Sequence, residues 1–217
     1  MTYFWSVPIW LGIVLQILVI AALLRGPYRS FKVLFVYSVV LFLITVGEAA
    51  AFYDREIWTK TSRHYWIGDA ILQTLIFVFV ISLIHRAMAT SLKRATIRRI
   101  LVCGAALFVT SSVYLTHEPK FGAWMTTLSR NLGLAAVILN LVLWAALIRE
   151  PSADRKLLLV SGGLGIQMAG KAIGHSLRQL SRSMIFTGDL IIVMSHLACL
   201  YIWWQAFRSF DRPAPER

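Results

Sequence analysis

The sequence predicts an all-α, polytopic membrane protein of seven transmembrane helices, with the N-terminus outside and the C-terminus cytoplasmic. Three observations carry this. The chain of 217 residues is 58% apolar and only 15% charged, with a mean hydropathy of +0.69, whereas soluble domains run about 45–50% apolar and about 25% charged. Its apolar residues fall in seven continuous runs, each of roughly the 17–25 residues that cross a ~30 Å hydrocarbon core. The cations are shared unevenly between the two sets of connections. This composition excludes a soluble globular domain and a disordered chain. It also turns the net charge of +12 away from a nucleic-acid role.

The predicted spans are 6–24, 33–52, 66–84, 100–116, 123–148, 157–177 and 184–207. The first has no Lys or Arg before it and no small-x-small cleavage pattern after it, so it is expected to be a retained helix rather than a signal peptide. All seven are continuous and about twice the length of the alternating strands of a membrane β-barrel, which favours helices. The sixth opens on a glycine-rich segment. There, Gly165 with Ala169 and Gly170 with Gly174 form small-xxx-small pairs that let helix backbones approach closely. A phosphate loop does not fit, since no strand precedes and no Gly-Lys-Ser/Thr follows. The connections are short, so residues 1–210 read as a single seven-helix domain. Residues 211–217, with Pro213 and Pro215, read as a disordered cytoplasmic tail.

Fourteen of the 22 Lys and Arg residues fall in the 1–2, 3–4 and 5–6 connections and the C-terminal tail. Six fall on the opposite side, and Arg130 and Lys171 lie inside spans. The positive-inside rule then sets the orientation, and the basic face is expected to meet anionic lipid. Tyr28, Trp203 and Trp204 are expected in the inner aromatic belt, and Tyr3, Trp5, Trp58 and Trp66 in the outer one. A bacterial inner membrane is the expected location. Cys103 and Cys199 are single thiols inside apolar runs and build no framework.

Ionisable groups inside spans cost ~2.5–3.5 kcal/mol each on insertion scales and normally face a bundle interior or a wet cavity. The candidates are Glu48, Asp69, Arg130, Lys171, His175, Asp189 and His196. All but His196 lie within about 11 Å of the predicted outer boundary at 1.5 Å rise per residue. In the sixth span Gln167, Lys171 and His175 follow i, i+4, i+8, with Arg178 continuing the row. In the seventh, Asp189 and His196 share a face. Asp69 and Gln73 pair in the third span, and Asn131 adjoins Arg130 in the fifth. The simplest geometry is an outward-facing polar cavity between spans 2, 3, 5, 6 and 7. In it, Arg130 and Lys171 form the positive wall and Asp69 and Asp189 the negative one. Buried ion pairs that merely order the helices, or side chains reaching to the headgroups, are the plainer readings.

Cofactor signatures are missing. A seven-helix retinal protein needs its Schiff-base lysine in the last helix, and the only intramembrane lysine is Lys171 in the sixth span. His175 and His196 differ by about 15 Å in depth, too far apart for haem ligation. HExxH and GxSxG are absent, so neither metal nor hydrolytic chemistry is expected and an intramembrane enzyme is the less favoured reading. The leading expectation is a receptor or sensor module that takes a small polar ligand and acts through a protein partner at the cytoplasmic loops. The alternatives are a small proton-coupled transporter or channel, or a non-catalytic accessory subunit of a membrane complex.

Overall fold

The computed structural model describes residues 2–53, 62–87, 110, 114, 121–149 and 154–208, and within these the side chains except at 2–6, 27, 51–53, 62–66, 121–130, 146, 149 and 179. These residues form α1 (Thr2–Leu24), α2 (Lys32–Tyr53), α3 (Ser62–Ala87), α4 (Phe121–Arg149), α5 (Arg155–Leu180) and α6 (Ile185–Arg208), with single 3₁₀ turns at Pro27–Arg29 and Arg182–Met184. No strand occurs among the described residues. Among the described residues five segments are long and apolar enough to cross a membrane: Val7–Leu24, Lys32–Ala50, Ile67–Ala87, Arg155–Arg178 and Arg182–Arg208. In α4 the apolar stretch Asn131–Ala145 is bounded on both sides by residues whose side chains are not described. The predicted fourth span, 100–116, and the tail 211–217 lie outside the described residues.

Helix ends follow local chemistry. α1 stops at Gly26, whose φ of 156° suits a residue without Cβ, and Pro27 follows. Asp154 caps α5, its carboxylate accepting from the Lys156 backbone N–H at 2.9 Å. Only Ser181 separates α5 from the next 3₁₀ turn. Its N–H reaches Leu177 O at 3.4 Å and its hydroxyl accepts from Ser183 N–H at 3.3 Å. The sixth predicted span therefore runs three residues past its expected end at 177, because Ser181 satisfies the last turn.

The chain groups into two compact units, Met1–Phe42 with Asp154–Arg217, and Leu43–Ala153. In the first, α5 and α6 form an antiparallel hairpin and α1 lies along α6. Phe31 meets Phe207 edge-on at 5.2 Å, and Tyr37 meets Trp203 edge-on at 5.8 Å. The start of α2 is thereby fixed beside the end of α6. Arg25, Arg29, Lys32, Arg155, Lys156 and Arg208 consequently share one end of this unit. Arg208 lies over the Trp204 ring at 5.0 Å and Arg29 over Tyr28 at 5.8 Å, favourable cation–π geometries. Trp203, expected in the inner aromatic belt, packs inside the unit. It is 0% exposed and its indole N–H donates to Val160 O at 2.9 Å, because a buried indole needs an acceptor and this carbonyl supplies it.

The hairpin is seamed by small residues. Gly170 faces Ser195 so closely that a Cβ there would collide with that side chain. A Cβ on Gly174 would fall 2.6 Å from Gly188 O, and one on Gly188 would fall 2.6 Å from Gly174 O. The outward row of α1, Val7, Trp10, Leu11, Val14, Ile17 and Leu18, stays exposed. Such a row suits lipid and not water.

In the second unit α3 packs on α4. Gly68 of α3 meets Ile44 of α2 in ordinary contact at 3.7 Å. Ile76, Phe79, Val80 and Leu83 of α3, and Leu132, Ala136 and Leu143 of α4, are buried. Asn140, also buried, lies among these α4 residues.

Gly188→Ala is expected to cost about 1–3 kcal/mol by overpacking. Gly12→Ala, whose new Cβ would meet only Leu197 Cδ2 at 3.8 Å, is expected to leave stability nearly unchanged. Thermal unfolding of the two variants in detergent, followed by circular dichroism, checks the contrast.

Candidate functional site

The first unit carries a polar seam between α5 and α6. Gln167 is the thirteenth of 26 residues in α5 and His196 the twelfth of 24 in α6, so the two side chains meet at mid-helix. The Gln167 amide nitrogen donates to His196 Nδ1 at 2.9 Å and reaches Tyr37 Oη at 3.5 Å, the outer limit of a hydrogen bond. Gln167 and Tyr37 are only 2% and 1% exposed. With Nδ1 accepting, the proton of neutral His196 lies on Nε2, which remains a donor. In low dielectric such a bond is strong, and each unmet polar group is costly.

Lys171 stands one turn beyond Gln167 on the same face of α5 and within electrostatic range of His196. It is half-buried. Because α5 continues to Leu180, Lys171 lies nine residues from the helix end, deeper than the sequence suggested. His175 follows one turn further on, and is exposed.

The row ends on Arg178, whose Nε lies 3.3 Å from Asp189 Oδ1 of α6, with side chains 45% and 33% exposed. Arg178 lies against Gly188, where a Cβ would come within 2.9 Å of its Cγ. Asp189 is thus matched by a cation that the sequence assigned to a connection. Arg178 is helical instead, eleven residues along the polar row from Gln167.

Toward the basic end the surroundings become apolar. Trp203, Leu200, Leu164, Leu34 and Phe207 are all buried there. Ser161, also buried, satisfies itself within its own helix, donating to Leu158 O at 3.2 Å, as Ser195 does to Ile192 O at 2.9 Å. The Ser38 hydroxyl is buried with no hydrogen-bond partner among the described residues.

Gly170 and Gly174 are buried on the face toward α6, whereas Gly165 is half-buried and Ala169 exposed. The remaining candidates belong to the second unit. Gln73 of α3 lies against Gly133 of α4, with its Oε1 3.5 Å from where a Cβ would stand. Asp69 and Asn131 are half-buried and Glu48 is exposed. Arg130 lies in α4, but its side chain is outside the described residues. Tyr37 and Trp203 were missed by sequence reasoning. The signal for Tyr37 is its hydroxyl inside an otherwise apolar run, next to Ser38. Nothing in the local sequence distinguishes Trp203 from its interfacial neighbour Trp204.

Helices of this length and composition are compatible with an integral membrane protein that contacts the bilayer. No protein-family model, curated protein or solved structure matches the chain.

The Arg178–Asp189 pair is half-exposed, so its coupling is expected to stay below about 1 kcal/mol and to shrink with added salt. A double-mutant cycle with Arg178→Ala and Asp189→Ala, read by thermal unfolding at two salt concentrations, measures it.

Proposed function

We propose that this protein is a membrane receptor or sensor module that takes a small polar or charged ligand into the α5–α6 seam and acts through a protein partner at its basic end. One observation carries the reading. The polar row Arg178–His175–Lys171–Gln167 enters from one end of the hairpin and stops at mid-helix on His196 and Tyr37, above the apolar floor of Trp203, Leu200 and Leu164. A blind polar path holds a ligand and passes nothing through. A proton-coupled transporter or channel wants polar groups along the whole route, so the apolar floor counts against that alternative.

The orientation implied by the cation count sets the Arg178–Asp189 end outside and the basic end in the cytoplasm, in a bacterial inner membrane. The exposed Arg25, Arg29 and Arg208 would then meet anionic headgroups and the partner. No cofactor enters this reading.

The test is a thermal-shift panel of small acids, amines and neutral polar solutes on the full chain in neutral detergent. A ligand at a hundredfold excess over its Kd stabilises the fold by about 2.7 kcal/mol. At least one compound is expected to raise the melting temperature in the parent, with the increment lost in His196→Phe and in Gln167→Leu. The receptor reading fails if no compound of any class shifts the midpoint, or if both variants respond as the parent does.

A further inference from the structure

We infer that Lys171 and His196 together form a binding site for a small carboxylate monoanion inside the α5–α6 seam. The inference rests on the receptor reading above and gives it a ligand class. Its basis is a pair of donors left over once the internal bonds are counted. Gln167 occupies His196 Nδ1 at 2.9 Å, so the ring presents Nε2–H. Among the described residues neither that group nor the Lys171 ammonium has a hydrogen-bond acceptor or an ion-pair partner. The acid nearest in the row, Asp189, is held by Arg178 at 3.3 Å.

Depth makes this arrangement costly without an anion. Lys171 lies about 14 Å from the α5 terminus at 1.5 Å rise per residue, and an ammonium at that depth pays a penalty that a counter-charge relieves. His196 and Gln167 stand at mid-helix.

Stoichiometry selects the class of anion. One ammonium and one neutral imidazole N–H offer a single positive charge and two directions of donation. A carboxylate returns a single negative charge and two acceptor oxygens. A phosphate dianion would leave a residual charge in apolar surroundings, and an amine would meet Lys171 with like charge. The row through His175 to the Arg178 end supplies a polar route inward, and Trp203 with Leu200 closes the other side.

Both soluble carboxylates and lipid-borne ones carry this chemistry, and the experiment separates them. Full-length protein with ¹⁵N-labelled histidine is prepared in neutral detergent and in phosphatidylcholine nanodiscs, and His196 is assigned by its loss in His196→Gln. Butyrate probes the soluble source and oleate the lipid source, with methylammonium and urea as the cationic and neutral probes.

The expected result is a saturable shift of the His196 Nε2 resonance with butyrate or oleate. Its apparent Kd should weaken by about tenfold or more in Lys171→Met and stay near the parent value in Lys171→Arg, as a charge-assisted bond requires. Should Lys171→Met fail to fold, Lys171→Gln, which keeps a donor without the charge, is expected to weaken binding in the same direction. The proposal is overturned if neither carboxylate moves His196, or if the charge-free variants bind as the parent does. If methylammonium or urea instead gives binding that depends on Gln167 and His196, the anion assignment falls while the receptor reading stands. If none of the probes binds and no compound shifts the melting temperature, both fall.

Discussion

The contact that the first unit depends on is the backbone approach of α5 to α6 at Gly174 and Gly188. Each glycine leaves room where a Cβ would stand 2.6 Å from the other's carbonyl oxygen. In lipid there is no hydrophobic drive to bring two apolar helices together, so association relies on close packing and on interhelical polar contacts. The glycines supply the first and make the second reachable. With the axes drawn close, Gln167 lies within hydrogen-bond distance of His196 and Arg178 within reach of Asp189. With bulkier residues at the seam, those side chains would be separated or forced to seek other partners.

The polar contacts then differ sharply in worth. Gln167–His196 is at mid-helix beside Tyr37, so breaking it strands the buried Gln167 amide without its partner. Arg178–Asp189 is partly solvated and contributes little to stability. Its role in the seam is electrostatic: it neutralises Asp189 and so leaves Lys171 as the net charge of the row. The aromatic floor completes the arrangement. Trp203 is anchored by Val160 O and braces Tyr37 edge-on, which holds the hydroxyl beneath Gln167.

Much of the helical framework was legible from hydropathy alone. The ends of all six described helices fall within about four residues of the predicted runs, because lipid imposes a length on any apolar helix. Where α5 overran its expected end, the cause was local polar chemistry at Ser181, which hydropathy does not register. The rows Gln167–Lys171–His175 and Asp189–His196 were visible as periodicity, since residues at i, i+4 and i+7 share a helix face. What periodicity does not contain is the partner of each row. Asp189 was read as part of a cavity wall, and the sequence did not show that Arg178 pairs with it. Tyr37 carried only the weak signal of a hydroxyl beside Ser38, and Trp203 none that separates it from Trp204, since aromatic residues within an apolar run look alike whether they face lipid, headgroups or another helix.

The sequence by itself determined that the chain forms apolar helices compatible with an integral membrane protein, which helix faces are polar, and where small residues permit close approach. These are consequences of composition and of the 3.6-residue repeat, and neither requires knowledge of a neighbour. Only the tertiary structure decided that the polar faces of α5 and α6 look at each other, that Gln167 takes one nitrogen of His196 and leaves the other, and that among the described residues Lys171, one turn away, has no carboxylate partner. Those facts depend on the distance and rotation between two helices. In a bilayer these are set by a few glycines, and not by the hydrophobicity that made the helices legible.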